Sequence, residues 1–247
     1  MKYSSSKENY LKAIYHLQQE QASVSTNALA QALQTRAASV TDMLKKLKIQ
    51  KLLNYERYKG VKLTAEGRKV AIQIIRKHRL WEYFLVEKLK FGWEEVHEIA
   101  EELEHISSKK LIDRLEEFLD FPQADPHGDP IPDSQGRIPI SKQINLSELP
   151  ANVVATVSNI GDQSAEIMEL LNHKNIMIGT KVEVKKKFSF DQSLEIKLRN
   201  QPAFTISEHL ARNLFVKYDL PYEESDNTAP EVDAPVKAAK PKKNKRP

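Results

Sequence analysis

Apolar residues recur at helical spacing through the first half of the chain and in short alternating runs through its third quarter, with a polar, proline-rich break between. From Lys7 to Gln19, Leu11, Ile14, Tyr15 and Leu17 mark a first helix. After the polar QASVS, Ser25 or Thr26 is placed to cap a short second helix, Asn27 to Leu33. Gln34-Thr35-Arg36 makes a tight connection to a third helix, Ala38 to Gln50, with Val40, Met43, Leu44 and Leu47 inward and Lys45, Lys46 and Lys48 outward. Two strand-like pieces follow, Leu52 to Tyr58 and Val61 to Thr64, joined around Lys59-Gly60. Short helix, brief turn, longer basic helix and hairpin is the order of a winged helix-turn-helix.

Thr64 can cap a long helix from Glu66 to Lys90, broken at Gly92 or Trp93. A further helix is expected from Glu94 to His105, and another from Lys109 to Leu119 behind Ser107 or Ser108. Apolar faces this wide need partners, and a helical pair after a DNA-binding module reads as a dimerisation arm. Phe121 to Ile140 is dense in Pro, Gly and Asp and reads as a linker or folded-back loop. Beyond Asn145 the short runs Val153–Val157, Ile176–Ile178, Lys181–Phe188, Leu194–Leu198 and Phe204–Ile206, with a helical turn at Glu166–Leu171, predict a small β-barrel. The whole is a multidomain chain, mainly α with a small β part. Residues 1–73 are expected to form the winged helix-turn-helix, 74–140 a helical dimerisation domain that also carries the candidate metal ligands taken up below, 141–220 the small β-barrel, and 221–247 a disordered basic tail.

Charge sharpens the reading of the head. Between Arg36 and Lys69 stand ten basic residues against three acidic ones, a local net charge of +7, whereas the whole chain of 247 residues carries +4. Such a surface suits phosphate binding, because Lys and Arg displace counterions from nucleic acid; a solvated basic face on an ordinary three-helix domain is the plainer reading. No apolar run approaches the roughly 18 residues needed to cross a bilayer, and MKYSSSKENY lacks the apolar centre of a secretory signal, so a cytoplasmic protein without a membrane partner is expected. There are no cysteines, which excludes thiolate metal sites and cysteine nucleophiles.

Candidate chemistry lies in His97, Glu101, Glu104 and His105. On one helix they fall at i, i+4, i+7 and i+8, within an arc of about 100°. His78 and Glu82 form a second i, i+4 pair on the preceding helix, able to approach His97 if the two helices pack antiparallel. Nitrogen and oxygen donors without sulfur suit Mn²⁺ or Fe²⁺, with Zn²⁺ still able to bind. Enzyme motifs fail narrowly: His97-Glu98-Ile99-Ala100-Glu101 has Glu where a zinc protease needs its second His. The two Glu-x-x-His pairs, Glu94 with His97 and Glu102 with His105, share one helix where a di-iron bundle needs two. A bundle metalloenzyme with a DNA-binding head, and a metal-independent winged-helix protein with an acidic solvated stripe, remain as alternatives.

The order of parts resembles the diphtheria toxin repressor family of metal-dependent transcription regulators, which includes the manganese transport regulators. The likeness is carried by Glu8 to Tyr15, Ser39 to Met43, Tyr55 to Gly60 with Leu63-Thr64, His78, the His97 to His105 cluster, and Pro126-His127-Gly128-Asp129-Pro130-Ile131-Pro132. The resemblance implies a homodimeric repressor of metal-uptake genes that binds double-stranded operator DNA when loaded with Mn²⁺ or Fe²⁺, takes no small organic substrate, and is not an enzyme. Glu101, Glu104, His105 and Asn9 match one metal site; His78, Glu82 and His97 match the other. Gln163 and Glu166 fall near the segment with which an SH3-like (FeoA-type) third domain supplies further ligands. Arg36, Ser39 and Thr41 would start the recognition helix, and Lys45, Arg57, Tyr58 and Lys59 would hold the DNA backbone. Family members place Asp or Met at Asn9, and the manganese regulators place Glu at Lys12, which cannot ligate while protonated.

Overall fold

The computed structural model describes residues 3–56, 60–139, 142–199 and 201–218. Arg57, Tyr58, Lys59 and the expected tail 221–247 lie outside the described residues.

The head consists of α1 (Ser5–Glu20), α2 (Thr26–Ala32), α3 (Ala37–Ile49) and a hairpin of β1 (Leu53–Glu56) and β2 (Gly60–Leu63), paired antiparallel with Leu53 opposite Leu63. Ser25 is the residue that caps α2, its hydroxyl accepting from Ala28 N at 3.0 Å. The hairpin is held to α3 by Lys48, whose Nζ donates to Tyr55 O at 2.9 Å, and to the α1–α2 connection by the Val24–Val61 bridge. One core joins them: Leu11, Ile14, Leu29, Val40, Leu44, Leu47, Leu53 and Val61 are sealed together with Ala71, Ile72 and Ile75 of the next helix.

That next helix, α4 (Ala65–Glu87), is capped by Thr64, which accepts from Gly67 N at 3.1 Å. Its 23 residues span about 34 Å at the usual rise. The N-terminal half completes the head's core, while Leu80 lies in a second core with Ile112, Leu115, Leu119 and Ile131. Near the middle, buried Arg76 pins α6 (Lys109–Phe118) through Glu116 at 2.6 Å and Asp113 at 3.4 Å. The helix ends at Glu87, ahead of the expected break at Gly92 or Trp93, because the chain turns at Lys90 with φ of 61°. Ser108 caps α6.

The helix between them, α5 (Val96–Leu103), is shorter than expected at both ends. Glu104 is its C-cap and His105 lies beyond it, so the four-donor stripe does not sit on one helix. Carboxylates crowding its C-terminal end oppose the helix dipole there, and Ser107-Ser108 starts a new helix directly after.

The C-terminal domain contains β3 (Ile144–Asn145), β4 (Val154–Ile160), α7 (Ala165–His173), β5 (Lys181–Lys187), β6 (Leu194–Leu198), β7 (Phe204–Ile206), α8 (Glu208–Asn213) and β8 (Leu214–Lys217). Its strands form one antiparallel SH3-like sheet in the order β3-β8-β4-β5-β6-β7, wrapped round a single core from Leu146 to Val216. Ile176–Ile178, expected as a strand, is a turn leading into β5, and the closing segment α8–β8 was not foreseen. Segment 121–139 carries no regular element and folds back between the domains, with Ala124 bridged to Pro130.

Candidate metal centre

Two turns of α4 and the start of α5 set the centre. His78 and Glu82, one turn apart on α4, are 7% and 1% exposed. His97, on α5, closes a triangle with them: His78 Nε2 lies 2.9 Å from Glu82 Oε1 and 3.2 Å from His97 Nδ1, which is itself 3.2 Å from Glu82 Oε1. His97 Nε2 also lies 3.6 Å from Glu101 Oε1.

The other nitrogen of His78 faces a second cluster. Its Nδ1 is 2.7 Å from Glu104 Oε2, close enough for an ion pair though not aligned for a hydrogen bond. Glu104, 1% exposed, also accepts from Lys12 Nζ at 2.7 Å, and Lys12 reaches Glu101 Oε1 at 3.4 Å. Beside them His105 Nδ1 lies 2.7 Å from Glu8 Oε2, with Lys77 Nζ 3.8 Å from the same oxygen. Helix α1 of the head is thus joined to α4 and α5 by Glu8 and Lys12, which share one stripe at i, i+4.

The third face comes from the folded-back loop. Asp125 Oδ1 accepts from the backbone N–H groups of His127 and Asp129 at 2.9 and 3.0 Å, leaving Oδ2 without a hydrogen-bond partner and 3.6 Å from Arg79 Nε. His127 Nε2 is 2.7 Å from the Trp93 carbonyl, which can only accept. The ring therefore carries its proton on Nε2, and Nδ1, 3.8 Å from Glu82 Oε2, is the atom available to a ligand. Two donor triads lie with all their ligand atoms within 4.8 Å of one another: His78, Glu82 and His97, and Glu82, Asp125 and His127. A cleft of about 210 Å³ opens over them, lined in part by Lys12, His78, Glu82, His97, Asp125 and Gln163.

Burial opposes charge throughout this centre, so the partners decide. For His78 burial favours the neutral ring, but the Glu82 carboxylate and the close Glu104 oxygen outweigh it and raise its pKa to about 9. Burial pushes Glu82 upward, yet His78 first, then His127 and His97, hold it well below the usual carboxylate range. Glu104 is lowered in the same way by His78 and Lys12 against its own burial. Asp125 goes the other way: burial, Glu82 and Asp129 push it up to about 8 against Arg79 and His127.

These residues fit a divalent cation. Glu104 Oε1, Asp125 Oδ2 and His127 Nδ1 are buried without hydrogen-bond partners, a costly arrangement unless a ligand takes them. The triangle edges of 2.9 to 3.2 Å are also the spacing of donors on one face of an octahedron with bonds of roughly 2.2 Å. All donors are nitrogen or oxygen.

Of the residues expected from sequence, His78, Glu82, His97, Glu101, Glu104 and His105 are brought together. Gln163 reaches the rim, donating to Asp129 Oδ2 at 3.2 Å. Asn9 is exposed and faces the groove between α1 and α3 with Ser39, Asp42 and Lys46; Glu8, one residue earlier, faces the centre instead. Glu166 is exposed on the first turn of α7 and does not line the cleft. The fold also brings Glu8, Asp125 and His127 to this centre, which the sequence did not single out as candidate ligands. The i, i+4 spacing of Glu8 with Lys12 was a readable signal; for Asp125 and His127 only the family-like Pro-His-Gly run hinted at a role.

On the head, Arg36 is the N-cap of α3, and Arg36, Ser39 and Lys45 are exposed. Thr41 is half-buried and spends its hydroxyl on Ala37 O at 3.0 Å, while Lys45 sits 3.4 Å from Asp42. A winged head, bound by side chains of its first helix to a buried His/carboxylate centre on a dimerisation arm, defines the class: a metal-responsive DNA-binding regulator.

Comparison with known proteins places the chain within that class. Residues 2–61 match the iron-dependent repressor N-terminal DNA-binding domain, 64–133 the iron-dependent repressor metal-binding and dimerisation domain, and 144–218 the FeoA domain. The iron-dependent repressor IdeR of Mycobacterium leprae is 30% identical over 173 residues, covering 66% of this chain and 75% of that protein. The regulator MntR of Oceanobacillus iheyensis is 34% identical over 116 residues, covering 47% and 78%. Among solved structures, a manganese-dependent transcriptional repressor in complex with manganese superposes with a TM-score of 0.79 at 31% identity, over 86% of this chain and 99% of that one. ScaR with bound Cd²⁺ gives 0.74 at 29% identity, over 86% and 99%. The chain belongs to the iron-dependent repressor family, of the diphtheria toxin repressor and MntR type. It is a metal-dependent transcriptional repressor with a divalent metal cofactor, not an enzyme, and its partners are DNA and a second copy of itself.

Proposed function

We propose that Mn²⁺ or Fe²⁺ switches this homodimer into an operator-binding form that represses genes for metal uptake, in the cytoplasm where that DNA lies. The observation that carries the reading is the meeting of three elements: α1 of the head, α4 and the C-terminal end of α5 contribute Glu8, His78, Glu82 and Glu104 to one network, in which His105 links Glu8 to Glu104. Glu101, Glu104 and His105, with Glu8, form one ligand group; His78, Glu82 and His97, bordered by Asp125 and His127, form the other. When bound, the ion supplies positive charge that holds these carboxylates together across the joint.

The consequence falls on the head. Residues of α1 held against α5 restrict how the winged head turns relative to the arm, and so fix the spacing of two recognition helices near one DNA turn, about 34 Å. The DNA-competent arrangement is then favoured by whatever binds it preferentially. In this reading Arg36 and Ser39 at the start of α3 meet base edges or phosphates and Lys45 meets the backbone. The exposed apolar residues Leu111 and Phe118 of α6, with Phe121 after it, are the face we assign to the partner copy.

The test uses DNA fragments selected by the Mn²⁺-loaded protein, then measured by fluorescence anisotropy with Mn²⁺, with Fe²⁺ under anaerobic conditions, or with chelator. Binding should require metal and be lost in the double variant Glu104→Ala, His105→Ala, which should remain a dimer by light scattering. Equal binding with chelator would return the head to the metal-independent reading.

A further inference from the structure

Lys12 lies where the proposed function needs none. A basic residue facing Glu101 and Glu104 is not a ligand, yet its Nζ donates to Glu104 Oε2 at 2.7 Å and reaches Glu101 Oε1 at 3.4 Å. Its side chain is 14% exposed and Glu104's 1%, so the pair is shielded from water more than a surface ion pair. The same Glu104 oxygen faces His78 Nδ1 at 2.7 Å. Lys77, the other ammonium at the centre, stands 3.8 Å from Glu8, too far to claim a carboxylate in the same way.

We propose that Lys12 is a built-in competitor for the metal: its ammonium caps the Glu101 and Glu104 carboxylates, must withdraw for them to ligate, and so sets the metal concentration at which the repressor switches. The inference rests on the reading of these carboxylates as ligands. A divalent ion bonded to Glu104 at ordinary length would sit within a few ångströms of the ammonium, and a +2 and a +1 charge at that separation repel strongly in a partly buried site. The lysine stem is flexible and lines the edge of the 210 Å³ cleft, so withdrawal needs a rotamer change and no backbone movement.

Two consequences distinguish this role from simple packing. The ammonium handicaps every divalent ion alike, so it raises the threshold without choosing the metal; that choice stays with the nitrogen donors His78, His97 and His105. In addition, Lys12 ties α1 to α5 through its own charge, so the head is partly positioned before any ion binds.

The experiment is isothermal titration of chelator-treated, dialysed full-length protein with Mn²⁺ and, separately, Co²⁺, for the parent, Lys12→Met, Lys12→Gln and Lys12→Arg. The Met and Gln variants should bind both ions at least about tenfold more tightly, by a similar factor, while Lys12→Arg stays close to the parent. Hydrogen exchange of α1 amides in the chelated Met and Gln variants should be faster than in the parent and return to the parent rate with Mn²⁺. Equal or weaker Mn²⁺ binding by both neutral variants, with an unchanged circular dichroism spectrum, overturns the competitor role while leaving the ligand assignment standing. If the parent and every variant bind neither ion, the ligand assignment fails, and the competitor role with it.

Discussion

The proton on His78 makes metal binding and metal-free stability respond to pH in opposite directions. Its folded pKa is about 9, against an unfolded value of about 6.5. Below pH 6.5 both states carry the proton and its full stabilisation is present. Through the window from 6.5 to 9 the folded protein keeps a proton that the unfolded chain has released, and above about 9 the advantage is gone. A difference of about 2.5 units amounts to about 3 kcal/mol of stability lost across that window. Ligation needs the neutral ring, so each ion bound below pH 9 must expel this proton, and affinity should rise about tenfold per pH unit from 7 to 9 and then level. Denaturant unfolding of chelated protein at four pH values between 6 and 9.5, for the parent and His78→Asn, isolates the first effect as a difference. Mn²⁺ titration at pH 7.5 in two buffers of unlike ionisation enthalpy counts the released proton for the second. Release of no proton, or a parent stability that rises through the window relative to His78→Asn, would refute the ring's assignment as a charged bridge between Glu82 and Glu104.

Two further outcomes test the joints on either side of the centre. Gly128 has φ of 90°, and a Cβ there would stand 2.1 Å from Ser158 O and 2.8 Å from Asn159 Cα of β4. Gly128→Ala should therefore separate the third domain from the arm, seen as faster proteolysis of segment 121–139 and a larger radius of gyration; unchanged scattering would show that the loop can absorb the methyl group. At the DNA face, Lys45→Ala should weaken all DNA sequences about equally and reduce the salt slope by about one, and a loss confined to one base position would contradict a phosphate contact.

How much of this was legible follows from what kind of signal each residue left. Helices with a core face and a capping hydroxyl, such as α2 behind Ser25 and α4 behind Thr64, could be placed to within a residue at their starts. Ends without such a signal were not: α4 stops at Glu87, ahead of a left-handed Lys90, and α5 at Leu103, neither marked by glycine. His97, Glu101, Glu104 and His105 do come together, but not through the helical spacing that grouped them, because only the first two lie within the helix. A turn after Leu103 carries Glu104 inward to His78 and His105 sideways to Glu8, which helical periodicity cannot describe. Asn9 and Glu8 differ by about 100° around α1, enough to exchange the metal centre for the α3 groove, and only tertiary packing decides which faces which. Asp125 and His127 come from a loop with no period at all, so their meeting with Glu82 was invisible without the fold.

That loop gives the third domain a reason to be present. Asp129 is held by Arg79 at 3.2 Å on the arm side, and by Asn159 at 2.7 Å and Gln163 at 3.2 Å on the other, while Ile160 N donates to His127 O at 3.0 Å. Trp93, just before α5, donates to Asn172 of α7 at 2.7 Å and stacks on the His127 ring. Residues that dock the C-terminal domain are therefore neighbours in the chain of residues that face Glu82, and His127 takes part in both. An ion that draws His127 and Asp125 toward Glu82 would strengthen the docked arrangement, and by linkage docking must raise ion affinity by the same factor. The domain need not supply a ligand of its own to affect the switch; holding the 125–130 loop in place is sufficient, and in this chain the exposed position of Glu166 favours that indirect route.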